Sequence, residues 1–422
     1  MNYQLEPLPN GALLATAPMP HMTSVSVGLW VGVGGRYEPL DLCGASHFIE
    51  HLLFKGTRRR TAREISEAVE GVGGSLNAFT SEEHTCYYAK VPHAHLAEAL
   101  EVLGDMLSQP RFARSDVEKE RRVIGDELAM YEDQPQQYVQ ELLNKAMWPR
   151  HPLGRPLTGT CRSVKGLRRA DLTAFYRTHY VGPALVIAVA GHFSPPLVHR
   201  LATRLAKALP GGARDTFLPA RWTPRPPVVR QAARPTEQTH LALGIRTWSR
   251  LDDRRYALRL LNAALGENMS SLLFQAVREE AGLVYSIDST LSFFADTGDL
   301  VISAGLDGEN LGRVLRLVVR ELRRLACRPL TRTELARVRD YVLGQIDLST
   351  ENTESQMLAL GEQVLAYGHT TTPETYQRRL RRVSAETIQR VAGECLRPER
   401  LTLALVSPVR QEREAAAALA RL

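Results

Sequence analysis

Apolar residues recur along this chain with two spacings. Alternating stretches at Thr23–Val33, Thr85–Val91, Thr239–Ile245 and Leu300–Leu306 put every second side chain on one face and predict strands. Apolar positions three and four apart, as in Leu96–Leu107 and Leu311–Leu325, predict amphipathic helices. The first twenty residues, punctuated by Pro7 and Pro9-Asn10-Gly11, read as a short strand pair. The strands often connect through hairpin-like turns rather than single crossover helices. That predicts an α+β fold of mainly antiparallel sheets covered by helices rather than a doubly wound sheet. The last stretch, Gln411–Leu422, reads as a polar, alanine-rich helix that contributes little.

The pattern repeats. Leu96–Leu107 runs into Pro110, and Ser115-x-x-Glu118 then opens another helix; Leu311–Leu325 runs into Pro329, and Thr331-x-x-Glu334 opens the next. Both openings have the form of a capping box, in which a hydroxyl and a carboxylate satisfy the free N–H groups of the first turn. The helix Asp171–Tyr180, Pro183 and the strand Leu185–Val189 are matched by Glu386–Leu396, Pro398 and Leu401–Leu405. Matching order at near-constant offset indicates two tandem homologous halves. Between them, Pro210-Gly211-Gly212 and five further prolines from Pro219 to Pro235 mark an extended linker. The expected division is residues 1–209, a linker at 210–235, and 236–422.

Composition narrows the classes. A hydrophobic share of 44% and a charged share of 23% are ordinary for a globular protein. No apolar run approaches the roughly 18 residues of a membrane span, and the N-terminus lacks a basic segment followed by an apolar one, so neither a membrane span nor a signal peptide is expected. The net charge of +7 does not point to nucleic acid: only six of the 53 basic residues are lysines, the arginines are scattered, and no basic stripe carries interleaved aromatics. Arg58-Arg59-Arg60 reads as a solvated turn. The five cysteines are odd in number and include no C-x-x-C pair, which fits a reducing, cytoplasmic setting and argues against a thiolate metal site. Cys43 reads as a small buried apolar residue.

The chemistry concentrates at His47-Phe48-Ile49-Glu50-His51. Histidines four apart share one helix face, so both imidazoles can reach one metal ion, and Glu50 lies on the same arc beside a metal-bound water. In the helix expected from Gly44 to Phe54 the other positions are apolar nearly all round, so the helix is buried. Ionisable groups on a buried helix must be paired, neutralised or metal-bound. A catalytic zinc wants three protein ligands and an open position. The third is sought on the acidic helix that begins at Ser115. Glu120 and Glu127 are two turns apart on one face, and one can bind metal while the other orients a histidine. Spacing alone does not choose between them, nor exclude Asp126.

The stretch Gly44-Ala-Ser-His-Phe-Ile-Glu-His-Leu-Leu-Phe-Lys-Gly-Thr57 closely resembles the pitrilysin family of zinc peptidases, in the branch of the mitochondrial processing peptidase and its bacterial relatives. Glu120-Arg-Arg-Val-Ile-Gly-Asp-Glu127, Gly73-Gly74-Ser75-Leu76-Asn77-Ala78 and His151-Pro-Leu-Gly-Arg-Pro156 continue the likeness; Gly125-Asp126 departs from it without touching a proposed ligand. The resemblance implies one Zn²⁺ per chain on His47, His51 and Glu127, Glu50 as general base, and Glu120 as the carboxylate behind a ligand. It implies that Arg278 and Tyr285, in Arg278-Glu-Glu-Ala-Gly-Leu-Val-Tyr285, position substrate and stabilise the oxyanion. It implies that Asn77 and Ala78, on an expected edge strand Ser75–Thr80, bind substrate by strand addition. The second half holds only His240 and His369, so it cannot repeat the metal site. The expected activity is zinc-dependent endopeptidase action on unfolded peptides or precursor segments, enclosed between two chains. The pair is expected to be a homodimer, with a heterodimer with a related chain as the alternative. The competing reading is a non-catalytic scaffold or regulatory subunit, which the intact motif disfavours. A metal hydrolase for a non-peptide substrate also fits the motif.

Overall fold

The computed structural model describes residues 2–420 of the chain. Its strands form two sheets. The first contains β1 (Gln4–Pro7), β2 (Leu13–Pro18), β3 (Ser24–Val31), β4 (Ser75–Thr80), β5 (Thr85–Pro92) and β6 (Leu185–Gly191), in the spatial order β1-β2-β6-β3-β5-β4. The second contains β7 (Val228–Ala233), β8 (Thr239–Thr247), β9 (Val284–Phe293), β10 (Gly298–Leu306) and β11 (Leu401–Ser407), in the order β7-β11-β8-β10-β9. Neighbours are antiparallel except β2 with β6 and β7 with β11. The parallel pair thus falls at the same place in both sheets, and the strand order matches once β1 is set aside. The fold is α+β with two homologous halves, as the repeated pattern indicated.

The expected boundaries give way to an exchange. One compact unit comprises the chain up to Leu128, Arg155–Leu218 and Asp347–Thr375; the other comprises Ala129–Gly154, Pro219–Ile346 and the chain from Tyr376. Each unit therefore incorporates a helical segment from the opposite half. The reason is that each sheet is apolar on both faces. In the first unit one face lies on the large core built with the motif helix and Leu96–Ser108. The other face, with Trp30, Val186, Ala188 and Ala190, is covered by Met357, Leu360 and Val364 of the helix Thr353–Tyr367. In the second unit Ala242, Val301, Ala404 and Val406 are covered in the same way by Leu143 and Met147 of the helix Pro135–Met147. Glycines let these helices lie close: a Cβ on Gly28 would stand 2.3 Å from Met357 Sδ, and one on Gly244 2.3 Å from Met147 Cε.

Three further expectations change. The linker ends before Pro235, because Val228–Ala233 pairs with β11 as an edge strand. The helix Arg114–Asp133 starts before Ser115, and the N–H groups of Asp116 and Val117 bond Ala113 O; Glu118 instead pairs with Arg121. Its counterpart at Thr331 and Glu334 is a true capping box. The C-terminal helix Glu412–Leu419 is not a bystander, since Ala415 and Leu419 are fully buried in the second core; residues 421 and 422 of that stretch lie outside the described residues. Among the described residues no helix is long and apolar enough to cross a membrane.

Candidate metal centre

The motif helix runs Ala45–Leu53, with Phe48, Ile49, Leu52 and Leu53 buried in the first core. Its N-terminus follows Gly44, whose φ of +92° suits glycine, and a Cβ there would meet Thr158 O at 2.8 Å. Glu38 reaches into this end. Its two carboxylate oxygens accept hydrogen bonds from Gly44 N and Ser46 N, each at 2.7 Å, which satisfies two donors at the start of the helix. Burial pushes the Glu38 carboxyl up to about 7 against the pull of those two N–H groups. Cys43 is buried, and burial raises its thiol to about 12, so it is inert packing.

His47, Glu50 and His51 form the polar stripe of this otherwise apolar helix. Glu127 approaches from Arg114–Asp133. Its Oε2 lies 3.7 Å from His47 Nε2 and 3.8 Å from His51 Nε2, and one ligand atom from each of the three residues lies within 4.8 Å of the others. These separations exceed hydrogen-bond length. They approach the spacing of roughly 3.3 Å that follows for ligands about 2.0–2.1 Å from a tetrahedral centre. Burial, with the charge of His51 second, lowers His47 to about 4, so its imidazole is neutral at working pH and offers a lone pair. Two imidazoles and a carboxylate form a donor set that suits zinc and leaves a fourth position open. The residues present fit the ion.

Glu120 does not face the cluster. It is buried, and its Oε2 lies 3.1 Å from His51 Nδ1 while Oε1 pairs with Lys55 Nζ at 3.0 Å. An Nδ1–H donated to this carboxylate fixes the tautomer that presents the Nε2 lone pair to the cluster. His47 has no such support: among the described residues its buried Nδ1 has no hydrogen-bond partner. Glu50 Oε2 accepts a hydrogen bond from Thr80 Oγ1 at 2.5 Å. Burial raises the Glu50 carboxyl, opposed by Thr80 and by His51.

Thr80 ends β4, which among the described residues pairs only with β5 and forms the edge of its sheet. Asn77 and Ala78 lie on this edge as expected. The Ala78 N–H bonds Asn77 Oδ1 at 2.8 Å rather than a β5 carbonyl, so it points to the free side. Arg278 and Tyr285 belong to the second unit. Arg278 lies in the π-helical turn Phe274–Glu279, with its guanidinium 4.7 Å from the Phe274 ring centre. Tyr285, near the start of β9, is 78% exposed and borders a cavity of about 680 Å³ that Arg234 and His240 also line. Sequence reasoning missed Glu38, Lys55 and Thr80. Of these only Lys55, one turn after His51 on the same helical run, carried a signal, as a lone cation closing a buried helix.

Residues 13–161 match Insulinase (Peptidase family M16), and residues 166–342 match the Peptidase M16 inactive domain. An uncharacterized zinc protease from Mycobacterium tuberculosis is 39% identical over 92% of this chain and 90% of its own length. The uncharacterized zinc protease YmxG from Bacillus subtilis is 36% identical over 94% of this chain and 97% of its own. A solved protease from Helicobacter pylori shares the fold at a TM-score of 0.90 and 20% identity, covering 96% of this chain and 99% of that one.

Proposed function

Since this chain belongs to the insulinase (M16) peptidase family, we propose that it is a zinc-dependent endopeptidase that cleaves extended, unfolded peptides. The observation that carries this is the convergence of His47, His51 and Glu127, with Glu50 on the same helix beside them. A bound zinc would supply Lewis acidity toward the scissile carbonyl and would acidify its water. The rest falls to the chain. Glu50 removes the proton from the attacking water and delivers it to the leaving amine, so that one carboxylate serves first as base and then as acid. Glu120 keeps His51 in the ligating tautomer. The free edge of β4 at Ala78 offers main-chain groups to an extended substrate, which gives affinity without strong sequence demand.

Arg278 and Tyr285 take the oxyanion-stabilising and substrate-positioning roles; the exposure of Tyr285 supports a residue free to meet substrate. The half without the motif matches a domain described as inactive, in keeping with one zinc per chain. The assembly is proposed as a homodimer enclosing the peptide, and sedimentation of the purified chain reads that directly.

The test of activity compares the wild type with Glu50→Gln on a quenched, unstructured peptide, with zinc content measured on both. Cleavage by the wild type and its loss in the variant, at equal zinc, supports the assignment. A fully metallated wild type that cuts nothing returns the chain to the scaffold reading or to a non-peptide substrate.

A further inference from the structure

We propose that Thr80 is a positioning residue: it holds the Glu50 carboxylate for proton transfer and ties that orientation to the strand on which substrate docks. This rests on the peptidase reading above. The first observation is the bond itself. Thr80 Oγ1 donates to Glu50 Oε2 at 2.5 Å, and a hydroxyl bonded to a carboxylate at this distance is a strong, charge-assisted contact. Among the described residues Glu50 Oε1 accepts no hydrogen bond, so one oxygen is anchored and the other is left for water. A glutamate has three rotatable bonds; without the anchor its carboxylate would sample several orientations beside the metal ligands.

The second observation is where the anchor sits. Leu76, Ala78 and Thr80 project from the same face of β4, because strand side chains alternate. Leu76 and Ala78 pack against the core that contains the motif helix, and Thr80 continues that row to Glu50. The Ala78 N–H, turned to the free edge, is two residues from the anchoring hydroxyl. A peptide that pairs along this edge orders the same segment that holds the base. Docking uses backbone groups and anchoring uses a side chain, so the two are separable by substitution.

Thr80→Val keeps the β-branched shape that suits a strand and removes the donor. Thr80→Ser restores the donor. In peptide cleavage, T80V is expected to lower kcat roughly 10- to 100-fold, the scale of a catalytic group displaced by about 1 Å. KM and zinc content should stay near wild type, and T80S should recover most of kcat. A loss of packing alone would affect T80S at least as much as T80V, so rescue by serine separates the roles. The second readout needs no turnover: crystal structures of the zinc-loaded proteins should show one Glu50 conformer in the wild type and T80S, and a rotated or spread carboxylate in T80V. Unchanged kcat in T80V, or the wild-type Glu50 conformer in its crystal, would overturn the proposal. If the zinc-loaded wild type cleaves nothing, the peptidase reading fails while the crystallographic comparison still decides whether Thr80 holds Glu50.

Discussion

Glu120 stands between a histidine that needs an acceptor and a lysine that needs an anion, and it is buried while doing so. Glu120→Gln keeps an acceptor for His51 Nδ1–H but removes the charge that makes the imidazole a stronger donor to metal. Zinc affinity, read by chelator competition, should fall about 10- to 100-fold, the usual cost of losing such a partner. Lys55 is the weaker member, because its ammonium is partly in solvent. Lys55→Met should shift affinity by less than about fivefold, in line with ~1 kcal/mol or less for an exposed pair. Equal losses in the two variants would mean that Lys55, not the histidine, is what Glu120 serves. The sequence showed much of this site and not all of it. The four-residue spacing placed His47 and His51 on one face, and the seven-residue spacing put Glu120 and Glu127 on another. Helical angle alone could not assign the two glutamates, because both lie at nearly the same angle. What distinguishes them is which ring nitrogen each meets across two helices. Thr80 was illegible for a related reason: a threonine in a strand is ordinary, and its partner lies thirty residues earlier in the chain.

At the scale of elements, Gly361 tests how tightly the exchanged helix is seated. It lies inside the helix Thr353–Tyr367, where alanine is normally better by about 1 kcal/mol. A Cβ there would stand 2.1 Å from Nε1 of the Trp30 indole, a rigid and almost fully buried ring that cannot swing aside as a methionine end can. Gly361→Ala should therefore destabilise the protein by about 1–3 kcal/mol despite the gain in propensity, as overpacked cores do. A rise in denaturation midpoint would show that the helix is free to lift off the sheet. The alternating stretches located inner strands of both sheets, whereas neither exchanged helix, Pro135–Met147 or Thr353–Tyr367, was picked out from the sequence. Periodicity could not reveal which sheet each helix covers. An apolar stripe specifies that a face is buried and says nothing about the partner. The expected boundaries at 1–209 and 236–422 assumed the partner nearest in sequence. The same blindness made the C-terminal helix look dispensable: its alanines are small, and only the groove that receives Ala415 shows that small residues are what fit.

The exchange has a consequence for the whole molecule. Met357, Leu360 and Val364 are essentially fully buried against the first sheet. At roughly 1.5–3 kcal/mol for each fully buried side chain, they contribute on the order of 5–9 kcal/mol. That is comparable to the 5–15 kcal/mol by which a whole domain is typically stable. A fragment of residues 1–218 carries the metal ligands and every strand of the first sheet, yet it lacks this cover. It also carries Pro135–Met147, whose Leu143 and Met147 cluster with Ala242, Val301, Ala404 and Val406 of the second sheet. The reciprocal fragment, 219–422, has the mirror-image defect. Each alone should be aggregated or lack a cooperative unfolding transition. The two expressed together should co-purify and bind zinc, because the helix each one lacks is supplied by the other. The cut at Leu218–Pro219 falls in an extended segment, so it removes no strand or helix. A soluble, cooperatively folded 1–218 would contradict the argument, since its first sheet would then be stable with Trp30 and Ala188 open to water. Failure of the pair to associate, with each fragment folded alone, would show that the exchanged helices are ornaments on independent cores.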